Sequence, residues 1–372
     1  MTASNERKAF KNWFDHEAAR ALAEQIGSAH PSFDQGAFLR AATEDLNALE
    51  FNARVAQFAD ALATTLPADV PRALKILTAS LPAPLPDCEA VTDGWLQWPI
   101  GHFIGTYGVD HYSASMSAMI ELTQRFSAEF AVRPFAERYT DETLEELTRL
   151  TTHPSPHVRR WCSEGLRPRL PWGRRLQFLI DDPSPVWPIL EALKDDPELY
   201  VRRSVANHLN DIAKDHPELV VERCLQWSTD ASTERMWVIK HALRSLIKAG
   251  DPGALAVMGY HPPRDLEATL SVQPTSIEIG ESVELEAIVH SSSDQAQDLL
   301  IDYVVHYVRK GDKVSAKVFK WKTLRLDALG KQSLTKRHSM RVTTIRALYP
   351  GTHRVELQIN GARVAEASFV LR

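Results

Sequence analysis

Three stretches of this chain superimpose without gaps: PHVRRWCSEGL at 156–166, LYVRRSVANHL at 199–209 and MWVIKHALRSL at 236–246. Val158, Val201 and Val238 coincide, at intervals of 43 and 37 residues. Such spacing is that of a two-helix repeat, which cannot bury its apolar face alone and must stack on its neighbours. The surrounding pattern agrees. FLRAATEDLNALEFNARVAQFADALATTL spaces its apolar residues at three and four, and proline-containing breaks separate such runs as far as residue 250 or so. Residues 1–260 are therefore expected to form an all-α HEAT-like repeat solenoid.

Beyond GDPGALAVMGYHPPRD the period changes to two, in SIEIGESVELEAIVH, LLIDYVVHYVRK, SAKVFKWKTLRL and HRVELQINGARVAEASFVLR. Asn360-Gly361 is a strong hairpin turn. About seven strands fit into 266–372, the size of a small all-β immunoglobulin-like sandwich, with a barrel of similar size as the alternative. This segment has no cysteine, so a sandwich here would lack an inter-sheet disulfide.

Composition narrows the function classes. The chain is 44% hydrophobic and 24% charged, the balance of a folded protein. Cys88, Cys162 and Cys224 are odd in number and far apart, which argues against a disulfide framework or a CxxC metal site and fits a reducing cytoplasm. Without an apolar run of about 18 residues or a signal-peptide core, a soluble cytoplasmic protein with no membrane partner is expected. GHFIGTYG lacks the lysine and serine of a phosphate loop, HExxH is absent and the histidines show no ligand spacing, so neither metal nor cofactor is expected. The net charge of -5 hides an asymmetry: Arg309 to Arg346 carries twelve Lys and Arg against Asp312 and Asp327.

If Val158, Cys162 and Leu166 point inward, the remaining face presents Arg160, Glu164 and Arg167 at i, i+4 and i+7. The same face of the next repeat presents Arg203, Asn207 and Asp211, and that of the third Lys240, Arg244 and Lys248. On inner helices this cationic ladder would line a concave surface and select a polyanion. Locally, Glu164 could equally be an i,i+4 partner of Arg160, Asp211 a solvated residue near a helix end, and Trp172 and Trp187 packing residues beside prolines. A non-catalytic HEAT-repeat scaffold that binds DNA or protein is the alternative function.

The motifs HPSFDQGAFLR, LEFNAR, WPIGHFIGTYGVDHYSASM, LTQRFSAEFAVRPF, HPSPHVRRWCSEGLRPRLPW, VRRSVANHLNDIAKDHP and ERMWVIKHALRSLIKAGDPGAL together resemble the DNA alkylation repair glycosylases of the AlkC/AlkD superfamily. The resemblance is to the AlkC branch, which carries an immunoglobulin-like domain after its repeats. It implies a monofunctional DNA glycosylase of base excision repair, acting as a monomer on double-stranded DNA with alkylated bases, N3-methyladenine and N3-methylcytosine. By resemblance, Glu129, Glu164 and Asp211 are the acidic site residues, and Trp172, with Trp187, contacts the lesion. Arg160, Arg203, Lys240 and Arg244 would hold phosphates. Lys320, Lys322, Lys336 and Arg337, with Lys317 and Arg341, would clasp the duplex, although strand alternation places some of them on opposite faces. The superfamily's grip on the backbone also implies a base that is not enclosed in a pocket.

Overall fold

The computed structural model describes residues 9–89, 92–311, 313–342 and 347–372; Asp312 and Arg346 of the basic run lie outside them. Sixteen α-helices precede eight β-strands among the described residues. Most of the proline-containing breaks are helix starts. Pro156, Pro188, Pro217 and Pro252 sit in first turns, where the missing N–H has no intrahelical acceptor to lose. Asp15, Asp34, Asp69 and Ser232 cap other helices, and Asp251 caps the one that Pro252 starts, by accepting first-turn N–H groups.

The chain forms two compact units, Met1–Asp215 and His216–Arg372. In the first, the repeat register holds in three dimensions. Helix Pro156–Glu164 packs on helix Leu199–Ile212, and Val158, Cys162, Leu166, Val201, Val205 and Leu209 are all fully buried. Each such side chain contributes roughly 1.5–3 kcal/mol of hydrophobic stabilisation. Earlier in the chain, helix Phe51–Thr65 packs between helices Gln35–Thr43 and Trp98–Tyr107. This is the stacking expected of HEAT-like repeats.

The second unit joins the last helices to the sandwich. Its strands are β1 Leu266–Gln273, β2 Ser276–Ile277, β3 Ser282–Ser291, β4 Gln297–Val308, β5 Val314–Leu326, β6 Lys331–Ser339, β7 Gly351–Ile359 and β8 Ala362–Leu371. They form a three-stranded sheet, β1-β3-β6, and a five-stranded sheet, β2-β8-β7-β4-β5, antiparallel except for β2 on β8. The two-residue β2 is the strand that alternation could not reveal. Asn360 and Gly361 both have positive φ, 45° and 83°, as a two-residue hairpin of this type requires. Asn360 also donates to the carbonyls of His261 and Asp298, at 2.7 and 3.0 Å, and accepts from the Leu300 N–H. Gly361 lies so close to Gly250 that a Cβ would stand 2.6 Å from the Gly250 carbonyl oxygen. These contacts tie the segment after the helices to the sandwich.

β4 is buried on both faces. Leu299, Ile301, Tyr303, Val305 and Tyr307 face the sandwich core, while Leu300 and Asp302 share a cavity with helical residues of the same unit. The basic strands β5 and β6 are edges of different sheets. Simple alternation puts Lys320 and Lys322 on one face. A bulge intervenes, so Lys320 pairs with Asp302 and Lys322 with Ile301, on opposite faces. Lys336 pairs with Leu285 and Arg337 with Glu284, again on opposite faces.

Candidate active site

Three segments of the first unit converge on one charged row. Glu129 lies in the turn before helix Arg133–Arg138, Arg160 and Glu164 are on helix Pro156–Glu164 with Arg167 just beyond it, and Ser204 and Asp211 are on helix Leu199–Ile212. Arg160 Nη1 pairs with Glu129 and donates to Ser127 Oγ at 2.7 Å. Its Nη2 lies 3.3 Å from Glu164 Oε1. Arg167 Nη1 donates to the same oxygen at 2.7 Å, and Ser204 Oγ donates to Glu164 Oε2 at 2.6 Å. Arg167 Nε reaches Asp211 Oδ2 at 2.8 Å, and Lys214 Nζ reaches Asp211 Oδ1 at 2.7 Å. Acid and base thus alternate from Glu129 to Lys214.

Burial dictates that alternation. Glu164 is 5% exposed and Asp211 2%, and a carboxylate so far from water persists only when paired and hydrogen-bonded. Burial alone would raise the Glu164 carboxyl, but Arg160, Arg167 and the bond from Ser204 hold it below the usual carboxylate range. Burial likewise works against the Arg160 charge, and the Glu129 and Glu164 carboxylates more than restore it. Glu164 and Arg160 are therefore both charged at neutral pH.

Glu129, Arg160, Glu164 and Arg167 form the polar wall of a cavity of about 360 Å³. Trp98, Phe126, Phe130, Tyr200 and Trp172 supply aromatic surface around it. Trp98 and Phe130 stack at 5.4 Å between centroids, and the Arg160 guanidinium lies over the Tyr200 ring. Trp172 is 72% exposed at the cavity. Its φ of 64° is in the left-handed region, which a bulky side chain enters only when its surroundings enforce it.

Arg133 ties down both ends of the Trp172 segment. It is fully buried and donates to the carbonyls of Gly165 and Arg174, at 2.8 and 2.7 Å, at both ends of the segment that carries Trp172. Burial lowers its guanidinium to about 10, so it remains charged. Gly165 also packs tightly on the residue before Arg133, since a Cβ there would meet Val132 Cγ1 at 2.6 Å. AEFAVRPF and SEGLRPRLPW are thus one structure, joined by an arginine inside the first motif.

The positions of the expected site residues correct several readings. The face bearing Arg160, Glu164 and Arg167 is not a free polar surface, because the neighbouring helix and turn cover it. Arg160, offered above to a phosphate, is held by two carboxylates. Asp211 is buried rather than solvated, and it meets Arg167 instead of lining the cavity. The expectation of an unenclosed base gave no hint of the cavity found at these residues. Trp187 is half-buried and outside the cavity lining, whereas Arg203 is exposed. Lys240, Arg244 and Lys320 line a different cavity, within the second unit. Tyr200, Trp98, Ser127, Ser204 and Arg133 escaped sequence reasoning. Tyr200 directly precedes the VRR motif, but nothing in its spacing separates a cavity aromatic from a core one.

His208 adds an acid-sensitive element beside this row. Its Nδ1 lies 3.0 Å from the Ser163 carbonyl oxygen, and burial, followed by the Arg167 charge, lowers its imidazole to about 4. In the unfolded chain His208 would bind a proton below about 6.5. The unfolded state therefore takes up the proton first, and stability falls as pH drops from about 6.5 to 4, by roughly 3 kcal/mol. Urea unfolding across this window should show the slope, and His208→Gln should flatten it.

Among the described residues, no group of His, Cys, Asp and Glu is placed to hold a metal, and no helix is long and apolar enough to cross a membrane. The family model described as "Uncharacterised protein YhaZ, C-terminal Ig-like domain" matches residues 267–372. The chain is 37% identical over 354 residues to Bacillus subtilis (strain 168) "Uncharacterized protein YhaZ", covering 94% of this chain and 96% of that protein. It is also similar to the solved structure of Pseudomonas fluorescens alkylpurine DNA glycosylase AlkC bound to DNA containing an abasic site analog. There the identity is 36%, the TM-score 0.88, and the match covers 98% of this chain and all of the other. Sequence and fold agree over nearly the whole length, and this chain belongs to the AlkC family, the branch of the AlkC/AlkD superfamily with an immunoglobulin-like domain.

Proposed function

We propose that this chain is a monofunctional DNA glycosylase of base excision repair, which hydrolyses the N-glycosidic bond of cationic alkylated bases in double-stranded DNA. N3-methyladenine and N3-methylcytosine are the substrates we assign to it. The observation that carries this reading is an ionised, buried carboxylate, Glu164, in the wall of an aromatic cavity beside the exposed Trp172. Its kinship with AlkC agrees.

Methylation at N3 makes the base a cation. When the glycosidic bond breaks, its electron pair leaves with the base, which becomes neutral without a general acid. The sugar is left as an oxocarbenium ion, water adds to its anomeric carbon, and the proton of that water passes to solvent or a carboxylate. The protein's task is electrostatic. One carboxylate about 4 Å from a full cation gives ~4 kcal/mol at an effective dielectric of 20. Pairing with Arg160 and Arg167 reduces this, so it is an upper figure.

The geometry favours a division of labour. Glu129 and Glu164 line the cavity and would face the sugar cation and the attacking water. Asp211 meets Arg167 and not the cavity, so it acts as a positioning residue. Arg160 sets the two glutamates rather than a phosphate. The exposed Arg203 and the cationic residues Lys240, Arg244, Lys320, Lys322, Lys336 and Arg337 remain the candidates for the DNA backbone. In this reading residues 1–260 bind DNA and catalyse, while 266–372 assist.

A second reading rests on the same row. Each of its acids is ion-paired, which is also how a scaffold without catalysis would stitch its repeats together. Incubating the purified chain with methylated DNA separates the two. Free N3-methyladenine and alkali-labile abasic sites are expected, and a chain that binds the DNA yet releases no methylated base would leave the scaffold.

A further inference from the structure

The second unit holds a cavity of about 280 Å³ apart from the proposed reaction centre, with Lys240, Arg244 and Lys320 of the DNA-backbone candidates on its wall. Its character is mixed. Leu300, Val318, Ile247 and Met258 give it an apolar lining, and Lys240, Lys248 and Lys320 bring exposed ammonium groups to it. Between these sits Asp302, 5% exposed, whose side-chain oxygens receive no hydrogen bond among the described residues. Lys320 is its cross-strand partner because of the bulge in β5. Burial pushes the Asp302 carboxyl up to about 6, against the pull of Lys320 and Lys248. A perturbed carboxyl of this kind, set in a cavity wall beside lysines, is a mark of a ligand site.

Each simpler occupant leaves part of this site unsatisfied. An inorganic anion would meet the lysines and leave the apolar lining in water. An acyl chain would cover the lining and leave Asp302 without a donor. The occupant needs an anion, a flat apolar body and an N–H donor together, within a volume close to the ~300 Å³ at which small-ligand pockets begin. We propose that this cavity binds a nucleoside 5′-phosphate. Its base lies on the apolar lining with an amino or ring N–H donating to Asp302, and its phosphate lies among Lys240, Lys248 and Lys320. The nucleotide is either free or the 5′-terminal unit of a strand. The site does not depend on base release, so its test stands apart from that of the glycosylase.

The test is calorimetric titration of the full chain with 2′-deoxyadenosine 5′-monophosphate, with inorganic phosphate, and with a short oligonucleotide bearing or lacking a 5′-phosphate. The mononucleotide is expected to bind at least about tenfold more tightly than phosphate. Asp302→Leu should erase that advantage, leave phosphate binding intact and leave base release at the wild-type rate. Lys248→Gln, on an exposed position, should weaken mononucleotide and phosphate alike by about fivefold. This second variant keeps the test sound if Asp302→Leu does not fold. Competition between the mononucleotide and the 5′-phosphorylated oligonucleotide then tells which source is preferred. Equal affinity for phosphate and mononucleotide, or mononucleotide binding untouched by both substitutions, would overturn the assignment.

Discussion

Glu164→Gln is expected to lower the rate of methylated-base release by about a hundredfold to a thousandfold while DNA binding is kept. The amide can still accept from Ser204, so the cavity keeps its shape, but the charge opposite the sugar cation is gone. The same substitution leaves Arg160 and Arg167 short of a carboxylate, with an expected stability loss of up to about 3 kcal/mol. Both numbers are needed. Single-turnover release should be measured at a temperature where circular dichroism shows the variant folded. A folded variant with wild-type release would remove Glu164 from the chemistry and leave it as a stitch between repeats. Glu129→Gln should act in the same direction, whereas Asp211→Asn, acting through Arg167, should cost less in rate than either.

Arg133→Ala should have the largest effect on the fold. It strands the buried Gly165 carbonyl and removes the part-buried bonds to the carbonyl of the exposed Arg174, so each carbonyl loses a charge-assisted partner. A buried polar group left unpaired costs about 1–3 kcal/mol and a part-buried hydrogen bond about 1 kcal/mol, so a total near 2–4 kcal/mol is expected, less whatever is recovered by removing a buried charge. Denaturant unfolding measures that loss. The segment that carries Trp172 should open with it, and trypsin cleavage at Arg169, Arg174 or Arg175 is the local readout. An unchanged cleavage pattern would mean that other contacts hold Trp172 at its positive φ. Arg133→Lys should rescue little, because one ammonium cannot match a guanidinium that reaches both ends of the segment.

Much of the fold was legible because periodicity is a local property. Val158, Val201 and Val238 identified the repeat and are all fully buried, since stacked two-helix units must hide the same position each time. Asn360-Gly361 announced its hairpin because few residue pairs accept two successive positive φ values. The switch from period three-to-four to period two fell where helices give way to strands, between Val257 and Leu266. Compactness followed a different line, because the Asn360 bonds and the close approach of Gly361 to Gly250 attach the last helices to the sandwich.

The candidate site was legible as a residue list and not as an arrangement. Glu164 between Arg160 and Arg167 could be placed on one helical face from spacing alone. Whether that face was wet or dry depended on helix Leu199–Ile212, some 40 residues away in sequence, and covering it turned a cationic ladder into a neutral row of pairs. The bulge that divides Lys320 from Lys322 was equally invisible, because one extra residue in a strand leaves no mark on its composition. The sequence by itself determined the repeat and the sandwich, which rest on the period of a local pattern, and the family resemblance named the acids as candidates. Only the tertiary structure decided which acids share a cavity, which arginine holds them and which arginine ties down the segment that carries Trp172. Burial and pairing depend on chain segments that meet only after folding.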